Sequence, residues 1–157
     1  MYKRVNPWQS YRQVATQTAS PGQLVLMLFD GAARFLDQAL EGFSETDPLL
    51  FNQTISNNII KAQAIINELN LSLNMEAGGE FSSRMRALYD YLDRRLQESN
   101  LSKTETGIRE VLKHITSLRD AWSEMLQNGP YQESAGGKPV QTSMSFAPKS
   151  ADQAVAA

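Results

Sequence analysis

Four stretches of this chain repeat apolar residues every three or four positions, and none alternates apolar with polar. That period belongs to helices that each bury one face, so the pattern binds the chain to an all-α fold. Ser20-Pro21 opens the first helix: serine accepts from an early backbone N–H, and the fixed φ of proline suits the first turn. Leu24, Leu28, Ala32, Phe35 and Ala39 form one stripe, and Val25, Phe29, Leu36, Leu40 and Phe43 form the next. Together they cover roughly 160° of arc, against ~100° for an ordinary surface helix, so this helix must touch at least two neighbours.

Asp47-Pro48 opens a second helix, to about Leu73, with Phe51, Ile55, Ile59, Ala62, Ile66, Leu69 and Leu73 on its inner face. Residues 74–80 end it, because the adjacent glycines Gly78 and Gly79 lose the most entropy on ordering. A third helix runs near Phe81 to Ser99, with Phe81, Met85, Leu88, Tyr89, Leu92 and Leu96 inward. Ser102 followed by Glu105 matches a capping box for the fourth. There Ile108, Val111, Leu112, Ile115, Leu118, Trp122 and Leu126 share a face, and Gly129-Pro130 stops the helix. Four amphipathic helices with short loops predict an antiparallel four-helix bundle.

Three regions follow. Residues 1–19 form a polar arm holding Lys3, Arg4 and Arg12 with no acid, a charge of +3. Residues 20–130, the bundle, hold ten basic and fifteen acidic residues, a charge of −5. The tail, 131–157, is rich in Ala, Ser, Gly and Pro and has too few apolar side chains to offset its ordering entropy, so it is expected to be disordered. A net charge of −2 gives no electrostatic footprint for nucleic acid. No apolar run is long enough for membrane insertion, and no secretory leader is recognisable, so a cytoplasmic protein is expected.

Catalytic chemistry finds little to work with. Without cysteine there is no disulfide and no thiolate zinc site, and a di-iron bundle needs more than the single His114. His114 falls on the flank of the fourth helix, where a lone histidine is ordinarily solvated or capping. Asp90 and Asp93 sit beside Arg94 and Arg95 on a mixed-charge face, the pattern of a solvated surface. The Gly-Gly-Glu at 78–80 lacks the strand and the Lys-Ser/Thr of a phosphate loop. No cofactor and no enzymatic activity are expected. A haem bundle pairing His114 with Met85 and an adaptor bundle for a folded partner helix are the competing readings.

The informative feature is apolar residues in excess of what a bundle uses. On the second helix Leu49, Ile60, Ala64 and Leu71 fall within about 60° of one another, opposite the inner stripe, and Ile65 lies on a third side. A helix apolar on two sides is enclosed by neighbours or presents a groove to a partner. Met27, on a polar flank between Asp30 and Arg34, and Tyr91, off the inner stripe of the third helix, are further candidates for contact.

The run TASPGQLVLMLFDGAARFL, Thr18 to Leu36, resembles the flagellin-specific export chaperone family, FliS. The resemblance continues through AQAIINELNLSLNMEAGGE from Ala62, LYDYLDRRL from Leu88 and LRDAW from Leu118, in the family's order and spacing. It implies a cytoplasmic bundle chaperone that grips the disordered C-terminal segment of flagellin, prevents premature polymerisation and hands its cargo to the membrane protein of the flagellar export gate. Family members use an N-terminal tyrosine and an apolar residue three positions before it for that handover; Tyr11 and Trp8 occupy those places here. The resemblance also implies that the N-terminal segment can cover the cargo groove and be displaced. Monomer and homodimer are both compatible with the sequence.

Overall fold

The computed structural model describes residues 20–128. The arm with Trp8 and Tyr11, the Gly129-Pro130 stop and the tail lie outside the described residues. Helix α1 spans Pro21–Glu41 and runs into a short 3₁₀ turn, Gly42–Ser44; α2 spans Pro48–Leu71, α3 Gly79–Ser102 and α4 Glu105–Asn128. The two proline-marked starts form as the sequence predicts. The Ser20 hydroxyl accepts from Gln23 N–H at 3.2 Å, and one Asp47 carboxylate oxygen accepts from Leu49 and Leu50 N–H at 2.8 and 3.1 Å.

Each helix packs against the next, and α4 closes back on α1, so every helix has two neighbours. The paired residues run in opposite directions along each seam. Phe43 meets Phe51 edge-on with ring centroids 5.5 Å apart, and Lys61 lies over Phe35 between α1 and α2. Ser56 bonds Asn100 and Asn70 bonds Asp90 between α2 and α3. Arg95 pairs with Glu110 at 2.7 Å between α3 and α4. Trp122 Nε1 donates to Gly22 O at 2.7 Å, while Arg119 reaches Asp30 at 2.6 Å, between α4 and α1. This is the antiparallel four-helix bundle.

The core holds Phe29, Leu36, Ile55, Ile59, Ile66, Leu69, Tyr89, Leu92, Leu96, Ile108 and Ile115, all fully buried. The double stripe of α1 is accounted for by α2 and α4 on its two sides. Ile65, at 1% exposure, joins the core and widens the inner face of α2.

Several boundaries differ from the sequence expectation: α3 begins at Gly79, inside the expected break, and ends at Ser102 rather than near Ser99. Helix α2 stops at Leu71, because Ser72 turns its hydroxyl onto Leu69 O and the Asn74 side chain takes the N–H groups of Glu76 and Ala77 in the following turn. The expected capping box at Ser102 does not form. Ser102 is the last residue of α3 and donates to Glu98 O, Lys103 ends that helix at φ 52°, and Thr104 immediately precedes α4. A serine four residues past a helical carbonyl bonds back to it as readily as it caps the next helix.

Two glycines set close approaches. A Cβ on Gly78 would stand 2.3 Å from Asn74 O, and one on Gly107 would stand 2.1 Å from Ser99 Oγ and 3.0 Å from Arg95 O. Gly107 therefore lets α4 lie against α3.

Candidate binding surface

The outward row of α2 is exposed. Leu49 is 64% exposed, Ile60 56% and Leu71 69%, while Ala64 is half-buried. Neighbours on the same helix decide the contrast: Ile59 is fully enclosed while Ile60 points to solvent. From Leu49 to Leu71 the row runs about 33 Å at the helical rise. Beside its middle, a groove of about 370 Å³ lies between α2 and α3, with Ile60, Ala64 and Asn67 on one side and Asp90 and Asp93 on the other. Gln63 spans the seam, donating to Asp93 O at 3.4 Å and to Gln97 at 3.3 Å.

Met27 and Tyr91 stand elsewhere. Met27 is half-buried one turn before Asp30, on the side of α1 that Arg119 of α4 meets. Tyr91 donates its hydroxyl to Glu110 and so lies along the α3–α4 seam. That bond and Arg95 hold the Glu110 carboxyl below its ordinary range, and the same bond raises the Tyr91 phenol. Because α4 is not a direct neighbour of α2, the structure does not bring these two residues to the α2 row.

Three exposed apolar residues escaped the sequence reading: Leu50, Met75 and above all Leu101, 79% exposed. Leu101 follows Asn100, whose side chain meets Ser56, so it stands beside the N-terminal half of α2. The available signal was its position five residues past Leu96, well off the inner stripe of α3. His114 is exposed and Met85 is buried. Among the described residues no cluster of His, Cys, Asp or Glu suits a metal ion, and no helix is long and apolar enough to cross a membrane.

The exposed apolar row of α2 is a candidate contact surface for a partner. The family model for flagellar protein FliS matches residues 4–129. The chain belongs to the FliS family. The flagellar secretion chaperone FliS of Bacillus subtilis (strain 168) is 41% identical over 124 residues, covering 78% of this chain and 88% of that protein. Its counterpart in Salmonella typhimurium (strain LT2) is 35% identical over 130 residues, covering 80% of this chain and 94% of that protein. FliSB of Pseudomonas aeruginosa, also named a flagellar secretion chaperone, is 30% identical over 118 residues, covering 73% of this chain and 90% of that protein. FliS proteins are chaperones of flagellar secretion rather than enzymes.

Proposed function

We propose that this chain is a cytoplasmic chaperone for flagellin: it binds the disordered C-terminal segment, prevents premature polymerisation and delivers the cargo to the membrane protein of the flagellar type III export gate. The observation that carries this reading is the α2 row. Leu49, Ile60 and Leu71 are exposed on a helix whose opposite face already fills the core, and the bundle gains nothing from them. A segment that folds as it binds gives up roughly 2–5 kcal/mol or more to ordering, so it needs a long contact surface, and about 33 Å of α2 supplies part of one. A disordered chain can wrap a bundle, so Met27 and Tyr91, on other faces, serve as outlying contacts of the same segment.

The arm, residues 1–19, acts as cover and handover signal. Its +3 charge is drawn to the acidic bundle, and Trp8, Tyr11 and Val14 can occupy an apolar groove until cargo displaces them. Tyr11 and Trp8 then become available to the gate. Release by handover requires no nucleotide or other cofactor. Calorimetric titration with the isolated flagellin segment tests the reading: a roughly equimolar complex with a negative heat-capacity change is expected. Equal affinity for a flagellin lacking that segment overturns it. Sedimentation of the free and loaded chain separates a monomer from a homodimer.

A further inference from the structure

On the α2 side of the groove Ile60 and Ala64 stand among the polar Gln63, Asn67 and Asn70; on the α3 side stand Asp90 and Asp93, one turn apart. Asp93 has no partner for its carboxylate among the described residues, and Asp90 holds the Asn70 amide at 2.9 Å. Arg86, one turn before Asp90, is joined to it through the Asn70 side chain, so Asp93 is the carboxylate of the two without a partner among the described residues. Arg86 is engaged by Asn70 at 3.2 Å, Arg95 is turned to Glu98 and Glu110, and Arg94 forms no ion pair with either aspartate.

We propose, resting on the flagellin-binding reading, that this groove selects a peptide in which an apolar side chain is closely followed or preceded by a basic one. The apolar side chain lies on Ile60 and Ala64, and the ammonium or guanidinium group reaches Asp93 and Asp90 across the groove. Apolar contact supplies most of the affinity, while the aspartates supply discrimination and faster association.

The test uses the full chain and two labelled peptides that differ only at the charged positions, leucine–arginine against leucine–glutamate, followed by fluorescence anisotropy at low and high salt. The basic peptide should bind about tenfold tighter at low salt, with the preference shrinking as salt screens it. Asp90→Asn combined with Asp93→Asn should abolish that preference and flatten the salt dependence of the flagellin segment as well. Both positions are exposed, so a helical melting curve should confirm an intact fold. Flagellin binding with unchanged affinity and salt dependence in the double variant overturns this inference alone. Peptide discrimination without any flagellin binding instead overturns the flagellin reading and leaves the groove's preference standing.

Discussion

Ile59 and Ile60 are adjacent in sequence and opposite in environment, and substituting each by aspartate separates folding from binding. Ile59 is fully buried, so Ile59→Asp places a carboxylate among apolar side chains with no partner and should unfold the bundle. Ile60 is 56% exposed, so Ile60→Asp should move stability by no more than about 0.5 kcal/mol. Its effect belongs to the complex. Burying a whole isoleucine side chain is worth roughly 1.5–3 kcal/mol, and about half of that side chain remains open in the free bundle. Cargo that covers the rest gains about 0.8–1.5 kcal/mol, so Ile60→Ala should weaken binding about four- to twelvefold. Ile60→Asp loses the same contact and adds a desolvated carboxylate facing Asp90 and Asp93, a further cost of about 2 kcal/mol or more. The combined loss is at least about a hundredfold in Kd. Circular dichroism melting and calorimetry with the flagellin segment read both quantities on one preparation. Wild-type affinity for Ile60→Asp refutes the α2 row as the contact surface, and its unfolding refutes the assignment of Ile60 to the surface.

Gly107→Ala should destabilise the bundle by about 1–2 kcal/mol, since the new methyl group meets Ser99 Oγ and the backbone of Arg95; Ser99→Ala in the same chain should recover part of the loss, read as the shift in Tm. Glu110 has its folded pKa depressed by the Tyr91 hydroxyl and Arg95, so its stabilising contribution is present above the ordinary carboxylate value of 4.5 and is lost as pH falls through the lower folded value. Glu110→Gln should remove that part of the acid-side decline in a series of melts below pH 4.5, and an unchanged profile would show that the seam is too solvated to matter. Deleting residues 2–15 should leave flagellin affinity intact or stronger while weakening binding to the export gate; if both affinities stay as they were, the arm is a bare terminus.

The helices were legible because their starts are chemical and local. Ser20-Pro21 and Asp47-Pro48 combine a side-chain acceptor with a residue that has no N–H to satisfy, and both function as caps in the folded chain. Ends were less legible. Leu73 keeps the apolar period of α2 and is buried, yet it lies past the helix, because burial needs only proximity to the core whereas helix continuation competes with the Asn74 turn. Ser102 matched a motif, but a serine hydroxyl can donate back to the carbonyl four residues earlier, here Glu98 O, as readily as accept an N–H of the next helix, and spacing alone does not choose between them. At the candidate surface, angular position on one helix separated the α2 row from the inner stripe but left open whether neighbours enclosed it, which the 56% exposure of Ile60 answers. The separation of Met27 and Tyr91 could not be read from angular position, because it depends on which seams Asp30 and Glu110 join, a pairing between residues far apart in sequence.

Helices α1 and α2 both carry more apolar residues than a single stripe, and their different fates show which excess signals a binding surface. The two stripes of α1 adjoin, forming one arc of roughly 160°, and two neighbouring helices at its flanks cover that arc. Width there is the ordinary requirement of a helix with two partners. On α2 the second row lies opposite the core, and α1 and α3, packed at its sides, cannot reach around to it. No rearrangement of a four-helix ring would bury Leu49, Ile60 and Leu71 together with Ile55, Ile59 and Ile66. Removing the outward leucines and isoleucine would cost the bundle little, since their contacts in the free chain are few, so their presence finds no explanation in folding. Opposition of two apolar rows, rather than total apolar content, is therefore the feature on which the proposed binding role of α2 rests.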